Sequence, residues 1–158
     1  DLTRLIAQGQ SMGGMYTNLL SATEPQVRAA IPTGAGGYWG FFILRTGLVP
    51  GAARLLRTVL GTQVPLSFLP PALALLETAW EPAEPLVYMP RIARDPLPGH
   101  PIRPVYEPVG RDDSYFPTEV FDAAALAYGH TQAGSEAWPS MQPALALGGL
   151  GEIGRAHV

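Results

Sequence analysis

Leu5-Ile6-Ala7-Gln8-Gly9-Gln10-Ser11-Met12-Gly13-Gly14 is the stretch on which the fold turns. Leu5 to Gln8 is a short strand-like run that stops at Gly9, and helical spacing takes over from Gly13 to about Ala22, closing before Pro25. This is the pattern of strand, tight turn and helix. Val27-Arg28-Ala29-Ala30-Ile31-Pro32-Thr33 follows as a second β-prone run, ended by the glycines Gly34, Gly36 and Gly37. A strand that returns after a helix has crossed over the sheet, so the second strand is expected beside the first and parallel to it.

Further along, the character changes. Tyr38-Trp39-Gly40-Phe41-Phe42-Ile43-Leu44 is aromatic and apolar, Ala52, Leu55, Leu56, Val59 and Leu60 fall at helical spacing, and Pro71 opens a helix carrying Leu73, Leu76, Ala79 and Trp80. These helices suit either a cap set between core elements or ordinary core helices. Pro101 to Val109 is extended again, although Pro101, Pro104 and Pro108 make it a poor central strand, since each lacks a ladder donor. Pro117 then begins a helix to about Tyr128, with Gly129 placed to end it in the left-handed conformation. A further short helix fits within 135–151.

Composition narrows the function classes. The chain has 158 residues, the size of one domain, and 47% of them are hydrophobic against 15% charged, which is globular rather than disordered. All ten basic residues are arginine, the net charge is −3, and no basic patch suggests nucleic acid. With no cysteine there is neither a disulfide, nor a thiolate metal site, nor a cysteine nucleophile. The three histidines have no ligand spacing and no Gly-x-Gly-x-x-Gly follows a strand, so neither metal nor other cofactor is expected. Apolar runs are short and broken by proline, and none is long enough to span a membrane.

Chemistry points to Gly9-Gln10-Ser11-Met12-Gly13, a Gly-x-Ser-x-Gly between strand and helix. A serine at the tip of such a turn sits in strained backbone and presents its hydroxyl above the sheet, and flanking glycines spare the close-packed strand and helix a Cβ. The helix start favours the negative charge of an oxyanion, with the Met12 N–H as a donor. The full opening, Asp1-x-x-Arg4-Leu5-Ile6-x-x-Gly9-Gln10-Ser11-Met12-Gly13-Gly14, resembles the nucleophile region of bacterial α/β-hydrolases of the esterase and lipase type. Gly110-Arg111-Asp112-Asp113, with Pro117 four residues on, resembles the end of the strand that carries the triad acid in that family.

The resemblance implies a partial α/β-hydrolase sheet of parallel strands with helices on both faces and an inserted helical cap. Core segments would be 1–37 and 101–151, with the cap at about 38–100. It also implies a serine hydrolase cleaving a lipophilic carboxylic ester through an acyl-enzyme. Ser11 would be the nucleophile, Met12 the oxyanion donor, Asp113 the acid with Asp112 as its alternative, and Tyr38, Trp39, Phe41 and Phe42 the substrate pocket. The partner would be a small-molecule ester.

This chain departs from the family pattern at the base. His100 precedes the acid, His130 follows Asp113 too closely, and His157 lies in Glu152–Val158, a string that resembles a translated sequencing adapter and is expected not to be native. The histidine and the second oxyanion donor are therefore expected outside this chain, as in a fragment that is inactive by itself. A non-catalytic binding protein on the same fold is the rival reading.

Overall fold

The computed structural model describes residues 1, 3–63, 71–110 and 112–129. The expected helix within 135–151, the tail 152–158, His130 and His157 lie outside the described residues. Chain order is β1 (Leu5–Gln10), α1 (Met12–Thr23), β2 (Val27–Thr33), α2 (Trp39–Arg45), α3 (Ala52–Val59), α4 (Pro71–Trp80), a single 3₁₀ turn (Glu81–Ala83), α5 (Pro85–Ala93) and α6 (Thr118–Tyr128).

β1 and β2 pair in parallel, with Ala7 opposite Ala30 and Gly9 opposite Pro32. α1 makes the crossover and packs on both strands. The protein is thus α/β, with a parallel sheet and helices. Beyond β2, the Val105 segment joins the sheet through one parallel bridge to Ala30. Ala30 N–H donates to the Pro104 carbonyl at 3.1 Å, Tyr106 N–H donates to the Ala30 carbonyl at 3.0 Å, and Gly34 N–H donates to Pro108 at 2.7 Å. Residues 104, 106 and 108 face β2 by this alternation, and of the three only Tyr106 has an N–H to give. Proline therefore shrinks the expected third strand to a bridge.

Among the described residues, the helices that pack on the sheet lie on one side of it. Ala7 is buried on the α1 side, whereas Ile6, on the opposite side, is 60% exposed. Two clusters fill the space over α1. Ala22 of α1 packs with Met89 and Ile92 of α5 and with Ala124 and Tyr128 of α6. Met15 packs with Phe116, Val120 and Phe121. α5 packs on α1 and α6, so this part of the 38–100 interval joins the core, while α2 packs with α3 and α4. No helix among the described residues is long and apolar enough to cross a membrane.

One buried cation ties the Val105 segment to the lower end of the sheet. The Arg103 guanidinium, nearly inaccessible to solvent, donates to the carbonyls of Val27, Glu24 and Pro101 at 2.9, 3.0 and 3.1 Å. It also meets His100 Nδ1 at 3.2 Å. Losing the charged donor takes a charge-assisted bond from three carbonyls, that of Val27 in the interior, whereas losing the imidazole removes one neighbour of a guanidinium that keeps the rest. Arg103→Ala is accordingly expected to lower the unfolding free energy by roughly 3 kcal/mol, and His100→Ala by less than about 1 kcal/mol. Urea denaturation of the two variants checks this, and equal losses would contradict the assignment.

Candidate active site

The turn between β1 and α1 has the geometry its sequence asks for. Ser11 caps α1 with φ 54° and ψ −121°, a left-handed corner where side chains other than glycine are strained by about 1–3 kcal/mol. Ser11 N–H donates to Thr33 at 3.0 Å and its carbonyl accepts from Met15 N–H at 3.1 Å, so strand and helix both pin it. The side chain is exposed, and its hydroxyl makes no hydrogen bond among the described residues. Met12, the first residue of α1, is 64% exposed. Its N–H, one of the unpaired donors of a helix start, has no acceptor among the described residues.

The flanking glycines divide their work differently from the sequence expectation. A Cβ on Gly9 would stand 2.2 Å from the Gly13 carbonyl oxygen and 2.8 Å from Thr17 Oγ1, so strand and helix touch there. A Cβ on Gly13 would meet nothing within 4 Å. It is the backbone of Gly13 that crowds Gly9, and the second position closed to a side chain is Gly14, whose Cβ would lie 2.6 Å from Ala35 Cβ.

Asp113 stands at the same end of the sheet. Ser11 bonds to Thr33, Gly34 bonds to Pro108, and Asp113 follows five residues later, so three successive segments end side by side at their C-terminal ends. Ligands of open parallel sheets bind at that end. Asp113 Oδ1 accepts from the N–H groups of Tyr115 at 2.7 Å and Phe116 at 3.0 Å. These bonds fix the carboxylate, and Oδ2 accepts no hydrogen bond among the described residues. Asp112 is exposed, with φ 58°. Of the two, Asp113 is the anchored one. His100 lies with Arg103 at the opposite end, beside Glu24 and Val27 where β2 begins, so it does not meet Ser11.

The aromatic run divides. Trp39 lines an apolar cleft of about 290 Å³ with Ile43, Trp80 and Ala83. Phe42 instead packs on Phe116, ring centres 5.1 Å apart, and Tyr38 stacks on Phe41 at 5.6 Å. Phe116 in turn fills the space over Gly36, where a Cβ would come within 2.3 Å of its ring. The glycines after β2 thus seat the acid loop.

A pair of acids that the sequence reading did not single out holds the start of α2. Glu84 is buried, and its carboxylate accepts from the N–H groups of Tyr38 and Trp39 at 2.6 Å and of Leu86 at 2.9 Å. Glu77 accepts from Gly40 N–H at 2.6 Å. The available signal was Glu84 before Pro85, an acidic cap ahead of a helix-opening proline.

Among the described residues no group of acids and histidines could hold a metal ion. The chain matches no known family model and none of the curated proteins.

The glycine geometry gives a direct check on the turn. Gly9→Ala is expected to destabilise the protein by about 1–3 kcal/mol or to prevent folding, because backbone must move to admit the methyl. Gly13→Ala, in a helical position with room, should be neutral or stabilising by up to about 1 kcal/mol. Thermal unfolding of both variants decides, and a reversed order would mean that the strand and helix do not approach at Gly9.

Proposed function

We propose that the chain is the nucleophile-and-acid part of an α/β-hydrolase that cleaves carboxylic esters through an acyl-enzyme. The observation that carries this reading is the backbone of Ser11, φ 54° and ψ −121°, on an exposed serine between a parallel strand and its crossover helix. Strain on a non-glycine residue persists only where its surroundings over-determine it, and such residues concentrate at sites of chemistry. The Met12 N–H beside it, without an acceptor among the described residues, supports the same reading, as does an anchored Asp113 at the same sheet end.

In this mechanism Ser11 Oγ attacks the ester carbonyl carbon while a histidine outside the described residues accepts the hydroxyl proton. The carbonyl oxygen becomes an oxyanion and receives a hydrogen bond from Met12 N–H at the positive end of α1. The histidine returns the proton to the departing alcohol, leaving the acyl group on Ser11. Water activated by the same histidine then releases the acid. Asp113 holds the imidazole in the required tautomer and stabilises its cation. The apolar lining contributed by Trp39, Ile43 and Trp80 favours a lipophilic ester.

The test uses the full gene product that carries this chain. A fluorophosphonate should modify Ser11, and Ser11→Ala should lower kcat/KM for an activated short-chain ester at least about a thousandfold without changing the melting temperature. Asp113→Asn should lower it about a hundredfold or more and Asp112→Asn less than about threefold, because only Asp113 is fixed by the loop. Undiminished turnover in Ser11→Ala would remove the serine from the reaction, and equal losses at the two aspartates would remove the assignment of the acid. A gene product that neither labels nor hydrolyses would leave the binding-protein reading standing.

A further inference from the structure

α2 is seven residues long, too short to persist in water by itself. Its N-terminal N–H groups are taken up by two carboxyl side chains that come from far along the chain. Glu84, at the start of α5, accepts from Tyr38 and Trp39, and Glu77, on α4, accepts from Gly40. The fit is close: a Cβ on Gly40 would lie 2.8 Å from Glu77 Oε2, and one on Gly37 would lie 2.7 Å from Glu84 Oε1. The three N–H groups are consecutive, so the two carboxyls stand side by side. Burial and the neighbouring Glu84 disfavour the ionised form of Glu77, which therefore keeps its proton to a higher pH than a free acid does.

No basic side chain among the described residues pairs with either acid. The charged groups facing Glu77 are Glu84 from α5 and Glu81 from the 3₁₀ turn, with the Tyr38 phenol beside them at the start of α2. Arg45, on α2, is bound to Glu119 and lies over the Phe41 ring. Once that proton leaves, negative charges meet with only backbone N–H groups opposite them.

The far end of α2 is fastened to the acid loop. Phe42 packs on Phe116, Arg45 pairs with Glu119 at 3.1 Å, and Gly47 N–H donates to the Ser114 carbonyl at 3.1 Å. We propose that the Glu77–Glu84 carboxyl pair is a proton-operated latch that holds α2, and through it the loop of Asp113, in the docked arrangement while Glu77 keeps its proton. The latch stands whether or not Ser11 is a nucleophile.

Burial and the neighbouring Glu84 raise the Glu77 carboxyl from its ordinary 4.5 to about 7, against the opposing pull of the Gly40 N–H. The folded chain therefore keeps a proton that the unfolded chain releases between these values. The stabilisation is complete below about 4.5, declines above it, and is gone once pH has risen through about 7.

Amide NMR of the 158-residue chain, titrated from about pH 5 to about pH 8.5, tests this. The Gly40 and Trp39 amide signals should shift in one step centred on about 7, and the Gly47 signal should follow with the same midpoint. Glu77→Gln keeps an acceptor for Gly40 and a donor for Glu84 without a titrating proton, so it should abolish the step and hold all three signals at their low-pH positions. Glu81→Gln removes an exposed neighbour and should leave a step in place. A Gly40 signal that does not move above about pH 5.5, or a step that survives in Glu77→Gln, would overturn the latch. A Gly47 signal that stays still while Gly40 titrates would overturn its link to the acid loop.

Discussion

The contact between the backbone of Gly13 and the bare Cα of Gly9 governs the geometry of the candidate site. Where a strand feeds directly into a helix lying across it, one residue must turn the chain, and the closer the two elements approach, the fewer backbone angles that residue can adopt. Here a Cβ on Gly9 would sit 2.2 Å from a carbonyl oxygen, so the approach is as close as glycine permits. The turning residue is Ser11, held in a conformation it would not choose alone. Its cost is met by the packing of α1 between the strands and α5, where Ala22, Met89 and Ile92 are fully buried. The exposed hydroxyl is thus a consequence of how tightly the core closes behind it.

From that contact the order of the remaining parts follows by short steps. The ladder carries Ser11 to Thr33, and Gly34 carries it on to Pro108, so three chain segments end level with one another. Just beyond β2, Ala35 lies against Gly14, Gly36 admits the Phe116 ring, and Gly37 admits the Glu84 carboxylate. Four consecutive residues with little or no side chain thereby bring α1, the acid loop and the start of α5 to one place. The glycine-rich segment after β2 thus acts as a packing joint.

Much of this was legible in the sequence where local chemistry and tertiary packing ask for the same thing. The runs Val27–Thr33 and Pro71–Trp80 carry their own bounds, glycine or proline at the ends and one periodicity between, and the elements coincide with them. Gly129 ends α6 in the left-handed conformation that its position implies. Ser11 was legible because strain at a serine leaves glycines around it. What was hidden depends on partners distant in sequence. α5 holds Pro90 within it, which local rules read as a break, yet Met89 and Ile92 are locked into the core on either side. The Val105 segment reads as a strand by its apolar residues, and only the direction its prolines face explains why a single bridge forms. Gly9 and Gly13 look equivalent in a motif, and only the three-dimensional approach separates them. Glu77 and Glu84 gave no signal as a pair because they come together across two helices.

That last pair explains how an acidic chain without lysine can bury a carboxylate. A cation is the usual partner for an interior acid, and the basic residues nearest in sequence, Arg91 and Arg94, are spent elsewhere: Arg91 pairs with Asp95 and Arg94 reaches the Leu126 carbonyl. Backbone N–H groups at the start of a helix substitute for it, each contributing a partial positive charge without a counter-ion. Three such groups satisfy Glu84 and a fourth satisfies Glu77, but four partial charges do not balance two full negative ones in a half-buried site. A proton kept on Glu77 removes the excess. The same shortage of cations that fixes the start of α2 therefore makes its attachment depend on pH, and the other end, held by Phe42, Arg45 and the Gly47 amide, passes that dependence to the acid loop.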